Sequence, residues 1–239
     1  MRLATIAGCR KEFTEPDEKL ISRALPRFAS FDDAEFCHFC LRVLSKPESI
    51  PQELPPLKDL YLKMLYFTFW DASLEHRTAA AVIREKLASL SRNPVLLGEV
   101  QELIAYRLKN IRGRSLNNTF LFPCPLRIHA HYTRNQICAA FDMLMPTNLR
   151  QGVYQIKEKH CDLFFVTLNK SEKDYSPTTM YQDYSINDTL FHWESQSTTA
   201  AESPTAQRYF NHRKLGQHIL LFVREYKEDT LCLLYTSDA

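Results

Sequence analysis

Hydrophobic positions recur with a helical period through the first half of the chain, up to about residue 112. Asp32 and Asp33 precede one such run and can cap a helix, and Pro94 stands at a favourable first-turn position before another. The run from Leu57 to Trp70 is apolar on most faces of a helix, which predicts a centrally buried helix. The first half is therefore predicted to be a bundle of four or five helices over residues 1–113.

Beyond a loop at residues 114–125 the apolar runs become short and alternate with polar positions. Thr133 can cap one short helix in this half. Polar connections rich in Ser, Thr and Asn separate runs that are typical of strands, at residues 126–130, 152–157, 162–168, 190–194 and 218–226. We therefore predict an α+β protein in which residues 114–125 link the helical bundle to a mostly β domain over residues 126–230, with one or two short helices.

Composition indicates where the protein resides and argues against a membrane span and a structural zinc site. Hydrophobic residues make up 45% of the chain and charged residues 24%, as in ordinary globular proteins. No run of 18 apolar residues occurs, so we expect no membrane span, and the seven scattered cysteines favour a reducing cytoplasm. Cys37 and Cys40 form a single C-x-x-C pair, whereas structural zinc needs four ligands. Their spacing places both thiols on one apolar helix face, which predicts core cysteines and no metal.

Charge limits how the chain could meet nucleic acid. The formal net charge is +2, and basic and acidic residues nearly balance after residue 125. A β domain without a broad basic face would bind nucleic acid through a few placed contacts. No Walker-type phosphate loop is present.

Two short stretches of the sequence partly resemble nuclease motifs. His212-Arg213-Lys214 begins like the phospholipase-D-like motif, but Ile219 stands where its aspartate should fall. Glu225-Tyr226-Lys227 ends an apolar strand, as in restriction-type nucleases, and Asp162 or Asp183 could supply the partner acid. A metal-dependent nuclease that uses Glu225 and Lys227 is therefore the alternative to a non-catalytic binding domain.

The stretch from Asp162 to Arg213 is dense in hydroxyls, amides and aromatic rings. Amide side chains can read base edges, aromatic rings can stack on bases, and flanking cations can anchor phosphates. At each position the alternative is a core ring or a turn cap, and we assign Phe164, Phe165, Val166, Phe191 and Phe222 to the core. The predicted nucleic-acid-binding residues are Asn169, Lys170, Lys173, Tyr181, Tyr184, Trp193, Gln196, Arg208, His212 and Arg213.

Several uncommon runs occur in an order that resembles one family. These runs include residues 162–174, 191–197, 207–213 and 220–225. They resemble a domain of unknown function at the C-terminus of bacterial DEAD/DEAH-box (superfamily II) helicases, which often also carry a phospholipase-D-like nuclease domain. The resemblance is strongest over residues 126–226, and Ala7-Gly-Cys-Arg resembles the segment that follows the helicase core.

The resemblance implies an accessory, non-catalytic region of an ATP-dependent DNA-processing or restriction-like defence enzyme. Its expected partners are DNA and the helicase core of the parent chain. ATP and Mg²⁺ would belong to that absent core, so no cofactor is expected here. Analogy with domains that read DNA suggests a barrel-like fold. A purely structural or interaction role is a further alternative.

The ends of the sequence suggest a fragment of a longer protein. Met1 falls inside the longer architecture that the resemblance implies. Cys232 to Ala239 resembles a translated transposase sequencing adapter. We therefore expect native sequence to stop near Thr230 and residues 231–239 to be a non-native tail. The β domain would then lack its last strands and expose an unpaired edge.

Overall fold

The computed structural model describes residues 15–112, 115–118, 120, 122–146, 152–170, 183–187, 190–195 and 199–236. Contacts divide these residues into two compact units, one from the stretches 1–112 and 135–148 and the other from 113–134 and 149–239. Helices build the first unit and a mixed sheet builds most of the second, which confirms the α+β class. No helix among the described residues combines the length and apolarity needed to cross a membrane.

Two helices of the first unit begin where the sequence provides a capping side chain. Asp33 Oδ1 accepts a hydrogen bond from the Phe36 amide at 3.1 Å, and Asn93 Oδ1 accepts one from Leu96 at 3.1 Å. The helices are α1 (Glu15–Ala29), α2 (Ala34–Ser45), α3 (Pro56–Phe69), α4 (His76–Ser89), α5 (Pro94–Asn110) and α6 (Arg134–Ala140).

Helix α3 provides the centre of the first unit, as its apolar faces predict. Nine of its 14 residues are buried. Its Tyr61 ring stacks on Phe36 of α2 with the centroids 5.5 Å apart. Cys37 and Cys40 are also fully buried in α2, and burial raises the pKa of Cys37 to about 12. Both thiols therefore belong to the core.

Helix α6 returns to the helical unit after the chain has entered the second one. Gln136 Nε2 donates to Thr68 Oγ1 at 2.8 Å, and Ile137 and Cys138 are fully buried. Residues 135–146 thus pack with helices that precede them by more than sixty positions in the sequence. The predicted domain boundaries, with a bundle up to residue 113 and a β domain from residue 126, stay a prediction. Residues 135–146, which pack with the helices, lie within the segment predicted as the β domain.

The second unit contains a five-stranded sheet in the order β1-β7-β6-β3-β2 and a two-stranded hairpin, β4-β5. Strands β3 and β6 pair in parallel, and the other pairs are antiparallel. Among the described strands β1 and β2 are open edges, so the barrel-like closure that the analogy suggested is not observed. The strands are β1 (His131–Thr133), β2 (Val153–Ile156), β3 (Cys161–Thr167), β4 (Tyr184–Ser185), β5 (Phe191–His192), β6 (His218–Arg224) and β7 (Leu231–Thr236).

The first strand predicted in the second half of the chain differs from the fold. Residues 126–130 alternate like a strand, but they form an isolated bridge between Ile128 and Leu116 and backbone hydrogen bonds of His129 and Ala130 with Leu234, and no regular strand. His129 adopts a left-handed conformation with φ of +66°, which interrupts the extended backbone. Thr133, predicted as a helix cap, ends β1 and directly precedes α6, which begins at Arg134, so it occupies the position of an N-cap residue.

The segment predicted as a tail forms an interior strand as far as Thr236. Strand β7 lies between β1 and β6, with Tyr132 opposite Cys232 and Val223 opposite Leu233. Cys232 is 5% exposed and Leu234 is fully buried. The edge of β6 that a truncated domain would expose is therefore paired. The short apolar run of residues 231–235 is itself typical of a strand.

A long crossover joins the parallel strands β3 and β6, as parallel pairing requires. It contains the β4-β5 hairpin and helix α7 (Pro204–Phe210). Ser203 caps α7 by accepting a hydrogen bond from the Ala206 amide at 3.2 Å, and Pro204 occupies the first turn. A turn at residues 211–216 follows. Gly216 has φ of +61°, a conformation that favours glycine, and leads the chain into β6.

Candidate nucleic-acid interface

One face of the sheet carries the candidate site. The parallel register pairs Asp162 with Ile219 and Phe164 with Leu221. Because side chains alternate along a strand, these four residues share a face, which the crossover covers. The buried cluster on this face consists of Phe164, Val166, Ile219, Leu221 and Val223, and Phe191, Trp193 and Tyr209 pack against it.

A buried ion pair attaches α7 to this face. Arg208 Nε donates to Asp162 Oδ2 at 2.9 Å, and Arg208 Nη2 donates to Oδ1 at 3.0 Å. Gln217 Nε2 adds a third hydrogen bond to Oδ2 at 3.1 Å. Burial opposes the charge of Arg208, but the hydrogen bonds and charge of Asp162 outweigh burial, so the pKa of Arg208 is raised. The bidentate geometry fixes the orientation of the helix as well as its position.

Three aromatic rings meet above the sheet beside this ion pair. The centroids of Phe164 and Trp193 are 4.2 Å apart, those of Phe164 and Tyr209 are 5.1 Å apart, and those of Trp193 and Tyr209 are 5.6 Å apart. Both contacts of Tyr209 are edge-to-face, a favoured arrangement of aromatic pairs. Burial and the charge of Asp162 raise the pKa of Tyr209, so its phenol stays protonated at neutral pH.

These rings form walls of a cavity of about 470 Å³, here called the aromatic pocket. The sheet supplies its floor, α7 one wall, and the chain after β5 another. Its lining, as far as the structure describes the chain, is mostly apolar, with hydroxyl groups from Ser195 and Thr199 and no charged side chain. The lining residues are Phe164, Phe191, Trp193, Ser195, Thr199, Ala201, Ala206, Tyr209, Phe210, Ile219 and Leu221.

A second buried ion pair holds the hairpin. Lys170 Nζ lies 2.6 Å from Asp183 Oδ2, and the two side chains are only 9% and 4% exposed. Asp183 Oδ1 also accepts a hydrogen bond from the Glu194 amide at 3.0 Å. Asp183 thus connects the end of β3 with both strands of the hairpin.

The hairpin exposes a stacked pair of rings. Tyr184 of β4 lies opposite His192 of β5, and their rings stack with centroids 4.8 Å apart and planes 16° apart. Tyr184 is 50% exposed. An exposed ring held flat in this way can stack on a further planar group.

The turn after α7 is basic. This basic turn, residues 211–216, exposes Arg213 and Lys214 and contains no acidic residue. His212 Nδ1 lies 2.8 Å from the Tyr209 carbonyl oxygen, which fixes the imidazole against the end of the helix. On the other side of α7, a shallow depression of about 520 Å³ is lined by Pro204, Gln207, Arg208, Asn211, Lys214 and Leu215.

Comparison with known proteins finds one family, which covers most of this unit and the inserted residues 135–148. Residues 126–235 match the family described as a domain of unknown function, DUF3427. The match begins before β1 and extends through Tyr235 of β7, so it spans every strand of the five-stranded sheet. Neither the curated proteins nor the solved structures contain a match to the chain.

The structure separates the predicted binding residues into different environments. Lys170 and Arg208, predicted to anchor phosphates, are held in the two internal ion pairs, whereas Arg213 is exposed on the basic turn. Trp193 is a wall of the aromatic pocket, Tyr184 is exposed on the hairpin, and Asn169 is exposed after β3. Lys173, Tyr181 and Gln196 lie outside the described residues.

Sequence reasoning missed most walls of the aromatic pocket. Phe164 and Phe191 were assigned wholly to the core, yet each has a ring that lines the cavity. Tyr209 and Phe210 were not singled out. The signal for them was Ser203-Pro204, which marks a helix start and places two adjacent aromatic residues at the end of a short helix.

The acids named for the nuclease alternative have structural partners. Asp162 holds Arg208 and Gln217, and Asp183 holds Lys170. Glu225 and Lys227 are exposed in the turn after β6, where the Glu225 carbonyl accepts a hydrogen bond from the Asn169 amide. Within the described part of the chain, no group of three His, Cys, Asp or Glu residues could hold a metal ion.

Proposed function

We propose that the second unit binds DNA through the face formed by α7 and the basic turn, as the recognition region of a bacterial DEAD/DEAH-box helicase. The observation that carries this proposal is the adjacency of the aromatic pocket to Arg213 and Lys214. Phe210 lines the pocket as the last residue of α7, and the next residue begins the basic turn. Rings that stack on bases and cations that contact phosphates are the two components of sequence-tolerant DNA binding.

The distribution of charge supports binding by few contacts. Of the three basic side chains on α7 and its turn, Arg208 is neutralised by Asp162 and the other two are exposed. Two phosphate contacts give a modest electrostatic affinity. Selectivity would then come from the aromatic pocket and from the exposed Tyr184-His192 pair.

The proposal that this unit belongs to a larger helicase is supported by the family resemblance. The matched family carries no described function. The order of uncommon runs resembles regions appended to helicases that process DNA or act in restriction-like defence. In this proposal the motor supplies ATP hydrolysis, and this unit selects the DNA on which the motor acts.

Fluorescence anisotropy with a labelled oligonucleotide tests DNA binding by the full chain. Replacing both Arg213 and Lys214 by Ala should weaken binding on the order of tenfold and reduce the salt slope by about 2. The matched control replaces Lys58 and Lys86, two exposed cations of the helical unit. Equal affinity and equal salt dependence in both double variants would refute the proposed binding face.

Incubation with DNA and Mg²⁺ or Mn²⁺ tests the non-catalytic role. A recognition region leaves the DNA intact. Cleavage that disappears in Glu225→Gln and Lys227→Ala would replace the proposal with the nuclease alternative.

A further inference from the structure

We infer that the aromatic pocket receives a single nucleobase that has left its stack, while the basic turn contacts the adjoining phosphates. This inference rests on the proposed DNA-binding function and adds the chemical class of the group that enters the pocket. It predicts a preference for DNA that contains an unpaired or easily extruded base.

The size and the aromatic wall of the pocket suit a small planar molecule. Its volume of about 470 Å³ lies within the range of roughly 300–1,000 Å³ that is usual for small-molecule sites. Phe164, Trp193 and Tyr209 form a continuous aromatic wall because each ring contacts the other two. Aromatic rings favour a planar ligand, since stacking of planar rings contributes favourable binding free energy.

The chemistry of the lining favours a neutral guest. Cages for quaternary ammonium ions attract their ligand through ring faces and often through a carboxylate. None of the described residues that line the aromatic pocket is acidic, and the carboxylate of Asp162 is already engaged by Arg208 and Gln217. Ser195 and Thr199 instead offer hydroxyl groups, which donate to or accept from the polar edge of a base.

The pocket is held open by two independent attachments. The Asp162–Arg208 pair fixes α7, which carries Tyr209 and Phe210. The Lys170–Asp183 pair, with the Glu194 amide bound to the same carboxylate, fixes the chain that carries Trp193. Because the pocket wall is fixed on both sides, it is already ordered before the ligand binds. Binding therefore loses less conformational entropy.

The rim of the pocket is continuous with the basic turn, which is proposed to contact phosphates. Phe210 is 70% exposed at the end of α7, and Lys214 follows four residues later. A base inserted past Phe210 therefore leaves its sugar-phosphate backbone on the side of the basic turn. Enzymes and readers that act on a flipped base use the same combination of an enclosed ring pocket and external phosphate contacts.

Fluorescence of Trp193 tests base entry without requiring DNA binding. The chain has two tryptophans, so Trp70→Phe leaves Trp193 as the reporter. Titration with each of the four deoxynucleosides should quench its emission saturably for at least one base, whereas ribose 5-phosphate should not. If choline quenched the emission and none of the four nucleosides did, the pocket would be a cation site and the inference would be overturned.

Two rim variants link the quenching to the pocket. Phe210 and Ala201 are both exposed, so changes there leave the core intact. Phe210→Ala should weaken nucleoside binding on the order of tenfold through lost stacking. Ala201→Leu should also weaken it by narrowing the mouth. Unchanged titration curves in both variants would overturn the assignment of the pocket.

Duplexes with one altered position separate this inference from the proposed function. The full chain should bind a duplex with one unpaired base on the order of tenfold more tightly than a fully paired duplex, because the paired base must first be unstacked. The same duplex with an abasic site should lose this advantage. Equal binding of all three duplexes, still dependent on Arg213 and Lys214, would overturn base entry and leave DNA binding intact. Nucleoside quenching without DNA binding would instead refute the proposed function and leave a base-binding pocket.

Discussion

Arg208 and Asp162 form a two-pronged ion pair beneath α7, with donor–acceptor distances of 2.9 and 3.0 Å and a fully buried carboxylate. Arg208 comes from the crossover and Asp162 from β3, so the pair joins segments 46 positions apart. An arginine expected to contact phosphate is thus part of the support of the proposed site. Its replacement would affect DNA binding by displacing the pocket wall.

Arg208→Ala should destabilise the second unit by about 3 kcal/mol, because it leaves a buried carboxylate without its cation. We choose the low end of the usual range because the Arg208 side chain is 19% exposed. Arg208→Lys should not restore stability, since an ammonium cannot reproduce the two-pronged geometry. Chemical denaturation gives the free energies of unfolding. Adding Asp162→Asn to Arg208→Ala should recover part of the loss, and full additivity would contradict the paired arrangement.

Asp183→Ala should loosen the hairpin, because it removes the partner of Lys170 and the acceptor of the Glu194 amide. We expect a loss of about 3 kcal/mol and faster proteolysis within residues 183–195. Limited proteolysis followed by mass spectrometry measures the second effect. Glu202→Ala removes an exposed acid from the same crossover and serves as the control. A hairpin equally resistant in both variants would show that the ion pair does not hold it.

Deletion of residues 231–239 should unfold the sheet, because it removes β7 from between β1 and β6. Deletion of residues 237–239 alone should have no such effect. Leu234→Ala should cost about 3 kcal/mol through the cavity left by a fully buried side chain. Circular dichroism and thermal unfolding compare the three variants. A stable protein without residues 231–239 would support the prediction that they are a non-native tail.

The protein should lose stability in alkali. Burial raises the pKa of Cys124 and Cys161 to about 12 and that of Cys232 to about 11, from an ordinary value of 9.0. Between these values the unfolded thiols ionise and the folded ones do not, so rising pH favours the unfolded state. The stabilising contribution is complete below pH 9 and is lost as the pH rises towards 12.

Melting temperatures measured between pH 7 and pH 11 test this effect. Cys161→Ala removes one of the raised groups and should flatten the decline above pH 9. At pH 8 the buried thiols should also react slowly with a thiol reagent in the folded protein and rapidly after unfolding. Cys9 lies outside the described residues, so Cys9→Ser simplifies the readout. Rapid reaction of Cys124 and Cys161 in the folded state would contradict their burial.

Local signals predicted the helical unit well. Asp33 and Asn93 cap helices because their side chains compete for the first free amides, a relationship contained within four residues. The apolar faces of α3 predicted its central burial. Most strands of the second unit also appeared where alternating or apolar runs occur, within one or two residues at their ends.

Long-range relationships were not predictable in the same way. The parallel pairing of β3 with β6 joins residues 57 positions apart, and nothing in either strand specifies the other as its neighbour. The candidate site depended on that pairing. Lys170 and Arg208 look like exposed cations in sequence, and only the fold brings Asp183 and Asp162 against them. The aromatic pocket likewise exists because Phe164 and Tyr209, 45 positions apart, meet on one face.

The interior position of β7 has a consequence for the order of events during synthesis. Strands β1 and β6 each pair with β7, and β7 is the last of the described strands to leave the ribosome. Until then β6 has one bare edge, and β1 has no partner in the sheet. Until β7 has been synthesised, the nascent domain therefore exposes hydrogen-bonding groups and apolar side chains. These features promote association between incomplete chains. Chaperone demand should therefore peak just before residues 231–236 emerge.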